Sequence, residues 1–553
     1  MADLLLKGGN LVNVFSGEIY PAEVAISKGK IAGLGDYEAR EVVDVSGKFI
    51  LPGFIDSHVH LESSMLSPAE FCRAVIPHGV TAVISDPHEI ANVLGIKGLK
   101  YMLEASRRLP LDIYLMLPSC VPATNLETSG ARLKASDLKP FLKEKKVLGL
   151  AELMNYPGVL SSDPEVWAKI EMMEGGLIDG HAPGLSGKDL QDYVAAGITS
   201  DHECISAEEA KEKLRSGMRI FIREGSSAKN LEALLPIVTP ANSRFCSFAT
   251  DDLHPADLKT GSINLLVKKA VSLGLDPVTA VQMATINPAQ YFGLKKVGAV
   301  APGYFADLLV IDNFQNFNVE MVFKAGELIA KDGEALTSSR ISFRGDVKGS
   351  VKIKPIRLED LRLKAKTSKA RIIELIPGQI VTRQLILPIL SKDGFLVSDT
   401  RSDILKLAVI ERHKASGNIG FGLVKGFGLK AGALASSVAH DSHNLIAVGV
   451  SDENILTAIL AVKKMQGGLV VVKDKKVLAE LPLPIAGLMS DRPLNFVLER
   501  LSKIDQAVRS LGIEIEYPFS ILSFLALPVI PELKLTDKGL VDVKQFKIVE
   551  LFV

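Results

Sequence analysis

Between residues 53 and 297 one local pattern recurs eight times: a short apolar run, then a longer amphipathic segment. The runs are "FIDSHVH", "VTAVISDP", "DIYLMLPSCV", "VLGLAEL", "LIDGHAP", "ITSDHE", "RIFIREGS" and "FCSFATDD". Strands covered on both faces read as continuous apolar runs, and parallel neighbours need helical crossovers between them. Segments such as 189–196 and 207–216 supply the helical pattern. Eight such units in about 240 residues predict an α/β fold built on a (β/α)8, TIM-like barrel.

The flanks read differently. Residues 1–52 are short apolar runs punctuated by glycine, a β-sandwich rhythm. After "DPVTAVQMATINPAQYFGL", which reads as one helix with a proline near its start, "VGAVAPGYFADLLVIDN" returns to short strands. The expectation is a small composite β-sandwich, 1–52 plus 298–345, interrupted by the barrel at 53–297. Residues 350–553, with Gly-rich turns, apolar strands and at least two helices, form an additional C-terminal α/β domain.

Composition excludes several classes. With 64 basic against 64 acidic residues there is no net basic field for nucleic acid. No 18-residue apolar window is free of charge, so no membrane span is expected. The N-terminus lacks a signal-peptide core. Cys72, Cys120, Cys204 and Cys246 are far apart and form no zinc pattern, which suits buried thiols in a cytoplasmic protein.

Barrel enzymes place their chemistry at the C-terminal ends of the strands. Here strand one ends in His58 and His60, strand two in Asp86, His88 and Glu89. Strand four carries Glu152, strand five leads to His181, strand six to His202, and strand eight to Asp251 and Asp252. Residues i and i+2 of a strand share a face, so His58 and His60 can project together into the barrel mouth. A buried carboxylate such as Glu152 is costly unless paired or metal-bound, and its two oxygens can bridge two cations. Four histidines with two carboxylates exceed what one tetrahedral ion needs. They suit two divalent transition-metal ions, with nitrogen and oxygen donors that fit Mn(II) or Fe(II) and leave Zn(II) open. Asp251 is the expected proton shuttle, with Asp252 facing the other way.

Other polar groups leave alternatives open. Asp86, His88 and Glu89 either bind substrate, support the metal ligands, hold a further ion, or cap a helix. "SVAHDSHNL" gathers His440, Asp441, Ser442, His443 and Asn444, either as a solvated loop or as one that reaches the barrel mouth. No GxSxG surrounds Ser442, which disfavours a serine-hydrolase triad. His60-Leu61-Glu62 fits the H-x-E of zinc nucleobase deaminases, but the PCxxC that accompanies it is missing. Glu62 is kept as a substrate-binding or supporting candidate.

"PGFIDSHVHLESS", followed in order by Glu152, His181, His202 and Asp251, resembles the amidohydrolase superfamily. "HLESSM", "SDPHEIANVLG", "AELMNYPGV", "DGHAPGL", "SDHE", "TDDLHP" and "AHDSHN" narrow the resemblance to the bacterial and archaeal adenine deaminases, over nearly the whole chain. The resemblance implies hydrolytic deamination of adenine to hypoxanthine and ammonia by a metal-activated hydroxide, in purine salvage or adenine catabolism. It implies His58, His60, Glu152, His181, His202 and Asp251 as ligands of two ions, adenine as partner, and a homo-oligomer, expected to be a dimer. The competing reading is an amide or cyclic-amide hydrolase of the deacetylase type on the same barrel.

Overall fold

A computed structural model describes residues 1–336 and 346–553. All eight expected barrel runs are strands: β1 Phe54–Val59, β2 Val80–Ser85, β3 Asp112–Leu117, β4 Val147–Leu153, β5 Leu177–Gly180, β6 Ser200–Asp201, β7 Arg219–Arg223 and β8 Cys246–Ala249. β1 to β5 pair in sequence order as one parallel run, and β6 to β8 as another. The two runs meet at both seams. At one, Thr199 N–H donates to Ile178 O at 3.1 Å. At the other, Asp251 N–H donates to His58 O at 2.9 Å and His60 N–H to Asp251 O at 3.1 Å. The result is a TIM-like α/β barrel. β1 and β2 are buried along their whole length, as strands under a helical layer must be. Where β1 enters the barrel, a Cβ on Gly53 would stand 2.3 Å from Thr81 Oγ1, so only glycine fits there.

The expected helices after β5 and β6 are Gly187–Ala195 and Ala207–Arg215. The single helix expected around 276–294 is two, Pro277–Met283 and Ile286–Tyr291. A continuous helix would hold Pro288 in its interior, where it removes a backbone bond and clashes with the preceding turn. The chain breaks at Ala284–Thr285 instead, which leaves Pro288 in the first turn of the second helix.

Strands Phe49–Pro52 and Leu308–Ile311 pair antiparallel, so segments before and after the barrel share one seven-stranded sheet. Four other N-terminal strands form a second sheet. Residues 337–345, the end of the expected N-terminal unit, lie outside the described residues.

Beyond residue 350 an eight-stranded sheet carries helix Asp452–Met465 on one face. This region docks on the barrel. Ser490 N–H donates to Met65 O at 2.8 Å, Asn444 Nδ2 to Thr128 O at 2.8 Å, and Thr128 N–H to Asp537 Oδ1 at 2.8 Å. Among the described residues no helix is long and apolar enough to cross a membrane.

Candidate metal centre at the barrel mouth

β1 delivers His58 and His60 to the same side, and their Nε2 atoms lie 3.1 Å apart. The β1–β8 seam brings Asp251 beside them, with Oδ1 at 3.2 Å from His60 Nε2 and 3.7 Å from His58 Nε2. Asp251 has φ +58°, a left-handed conformation that aspartate tolerates better than most residues and that marks many functional sites. Asp56 ties the same strand ends together, accepting from Thr250 N–H at 3.1 Å and from the Thr250 hydroxyl. Burial pushes the Asp56 carboxyl up to about 7.

Glu152, on β4, reaches two ways. Its Oε1 is 3.5 Å from His60 Nε2, and its Oε2 is 2.7 Å from His181 Nδ1 and 3.1 Å from His202 Nε2. His202 stacks on His58 with centroids 4.0 Å apart. Burial works against the charge on Glu152, but His181 and His202 hold its carboxyl well below the usual range. Asp251 is likewise held low against burial, first by Arg223 and then by its histidine neighbours. Burial, with His202 and His60 close by, pushes His58 down.

His60 Nδ1 lies 3.0 Å from the Asp86 carbonyl oxygen. A carbonyl only accepts, so Nδ1 carries a proton and Nε2 is the atom turned toward His58, Glu152 and Asp251; against burial, Asp251 and Glu152 raise this ring well above its ordinary value. Against burial, Glu203 and Glu152 raise His181 to about 9, and Glu152 raises His202, so this gathering of carboxylates and histidines attracts positive charge, as protons or as cations. Donor atoms of His58, His202 and Asp251 lie within 4.8 Å of one another, as do those of Glu152, His181 and His202. Glu152 reaches toward both groupings, and no thiolate takes part. The residues present fit divalent cations bound by mixed nitrogen and oxygen ligands.

Asp86 and His88 sit against this cluster. His88 Nδ1 is 3.1 Å from Asp86 Oδ2 and 3.4 Å from Glu152 Oε1. Glu89 turns away toward the C-terminal region. His440 Nδ1 lies 2.6 Å from Glu89 Oε1, and His443 Nε2 meets Glu89 Oε2. The "AHDSHN" loop is therefore no solvated loop: His443 is 1% exposed. Buried Arg412 shapes it by donating to the carbonyls of His443, Ala486 and Ser437. His443 Nδ1 accepts the Ala439 N–H at 3.1 Å, so its Nε2 is the protonated nitrogen and donates to Glu89. Burial holds His443 down at about 4, whereas His440, despite burial, is raised to about 9 by Glu89. Glu62 accepts the Ile90 N–H at 3.1 Å, and burial, with Glu89 nearby, raises it to about 7.

Asp252 departs from expectation. It accepts from the Ser63 hydroxyl, and one of its oxygens lies within 4.8 Å of donors of His60 and Asp251. The left-handed backbone at Asp251 interrupts the strand alternation that would have turned Asp252 away. Sequence reasoning missed Arg223 and Glu203. Arg223 Nη1 donates to Asp251 Oδ2 at 2.7 Å and also pairs with Glu203. The signal was available: Arg223 ends β7, where the strand-end rule looked for ligands and passed over a cation.

Residues 49–329 match the amidohydrolase family, and residues 379–547 match the adenine deaminase C-terminal domain. Adenine deaminase 2 of Carboxydothermus hydrogenoformans is 54% identical over 99% of this chain and 96% of its own. The adenine deaminase of Desulfatibacillum aliphaticivorans is 53% identical over 100% and 97%. Among solved structures, the β-aspartyl dipeptidase of Fervidobacterium islandicum AW-1 aligns at TM-score 0.48 and 18% identity, over 62% of this chain and 100% of that one. The chain belongs to the amidohydrolase family and, within it, to the adenine deaminases.

Proposed function

We propose that the protein hydrolyses adenine to hypoxanthine and ammonia at the barrel mouth, with His58, His60, Glu152, His181, His202 and Asp251 as ligands of two divalent ions. The observation that carries this reading is Glu152, whose two oxygens face different histidines. Mn(II) or Fe(II) suits the donor set, with Zn(II) as the other candidate. Bound there, the ions make water a nucleophile at neutral pH.

The remaining chemistry belongs to the chain. Arg223 holds Asp251 Oδ2 and favours its ionised form, while Oδ1 faces the histidines. Asp251 takes the proton of the attacking water and returns it to the exocyclic nitrogen, which leaves as ammonia as the C6–N bond breaks. Asp86 orients His60 through its carbonyl and His88 through its carboxylate. The C-terminal loop closes one side of the mouth through Glu89.

We also read the chain as three units: a composite β-sandwich of 1–52 and 298–345, the barrel at 53–297, and the C-terminal α/β domain at 350–553. The reading includes a cytoplasmic dimer. Four buried free cysteines suit a reducing compartment. The test is product analysis with adenine and with N-acetylated amino sugars or cyclic amides. Ammonia and hypoxanthine from adenine support the reading; turnover of amides alone rejects it.

A further inference from the structure

A pocket beside the metal centre is walled on the barrel side by Glu62, Glu89 and Asp252 and on the C-terminal side by Leu488, Phe519 and Phe524. Three carboxyl groups line it, and they differ in what holds them. Glu89 is saturated by His440 and His443. Asp252 takes the Ser63 hydroxyl. Glu62 is 4% exposed; its Oε1 accepts the Ile90 N–H, and its Oε2 has no hydrogen-bond partner. Leaving a buried carboxyl oxygen unpaired costs about 1–3 kcal/mol or more, so such an atom in a pocket calls for a ligand that supplies a donor.

The position limits which donor. Glu62 lies two residues beyond His60, and its anchor Ile90 lies two beyond His88, both of which face Glu152. Apart from the amino group at the reacting C6, the only N–H of adenine lies on the imidazole edge, so an acceptor in the pocket selects that edge. A free base carries one N–H on that edge, at N7 or N9. A nucleoside carries none: N9 bears the sugar and N7 is only an acceptor. We propose that Glu62 Oε2 accepts the imidazole N–H of the unsubstituted purine and so makes the enzyme selective for free bases over N9-substituted purines. This rests on the deaminase reading. Glu62 is then a specificity-determining residue that touches the ring remote from the reacting carbon.

The test compares kcat/KM for adenine, 9-methyladenine and adenosine in the metal-loaded wild type, Glu62→Gln and Glu62→Ala. The wild type should prefer adenine to 9-methyladenine by about 10³-fold or more, as sites built around a hydrogen bond reject analogues lacking it. Both variants should keep their metal content, lose adenine activity mainly through KM, and narrow the preference at least about tenfold. Wild-type turnover of 9-methyladenine equal to that of adenine overturns the proposal, and so does an unchanged preference in both variants. Equal wild-type turnover of the two bases overturns the proposal even if neither variant folds, and support for it needs the narrowed preference in at least one metal-loaded variant. Wild-type protein inert toward adenine would instead remove the deaminase reading, and the proposal with it.

Discussion

Two buried clusters of histidine and carboxylate stand a few residues apart, one inside the barrel mouth and one between the mouth and the C-terminal loop. Both pair glutamate with histidine, yet their chemistry is opposite. In the barrel, His60 donates from Nδ1 to a backbone carbonyl, which leaves Nε2 facing His58, Glu152 and Asp251. At the interface, His443 accepts a backbone N–H at Nδ1, which leaves Nε2 as the proton donor to Glu89. The first turns its nitrogen toward several carboxylates and histidines that a cation can join; the second directs its Nε2 proton at Glu89. What the far ring nitrogen meets in the backbone decides which of the two a histidine–carboxylate cluster becomes.

The comparison can be broken most severely at Glu152. Glu152→Gln keeps the shape but removes the charge facing both sides, so we expect loss of bound metal and of activity by about 10²-fold or more. Elemental analysis alongside an ammonia assay checks this; full metal occupancy with normal turnover would show that Glu152 is not needed to hold the ions. Asp251→Asn should keep most of the metal and lose activity by about 10²-fold, because an amide cannot take a proton. A dead Asp252→Asn beside an active Asp251→Asn would move the shuttle by one residue.

The interface cluster should respond more mildly. His443→Gln should keep all metal and lower kcat/KM by about tenfold, the scale for groups that support an active site from behind. Metal loss in that variant would contradict the tautomer assignment. The smallest effect is on stability. His440 is raised from 6.5 to about 9, facing Glu89, Asp252 and Asp441, with Phe524 stacked on its ring. Its contribution is therefore complete below about 6.5 and is lost as pH rises through about 9. Melting temperatures of wild type and His440→Asn should converge across that window; a constant gap would show that His440 is not charged against Glu89.

Much of this was legible in the sequence because strand periodicity and strand-end chemistry are local signals. The eight apolar runs, the HxH spacing and the isolated Glu152 needed no tertiary information. Arg223 was hidden because its function comes from a partner on the neighbouring strand, and cations at strand ends are usually solvated. The facing of Asp252 was misjudged because one left-handed residue, Asp251, resets the alternation, and no spacing rule reveals a positive φ at aspartate. The tautomers were illegible in principle, since they depend on whether a backbone carbonyl or N–H lies behind each ring. The break before Pro288, by contrast, was written in the proline itself.

The most direct measurement is the number of divalent ions bound per chain in fully active protein. The account predicts about two, both lost in His60→Gln and both kept in His443→Gln. One ion or none at full activity would contradict the barrel assignment. About three, falling to about two in His443→Gln, would show that the interface cluster binds a cation after all and that the difference between the two clusters is not the one drawn from their protons.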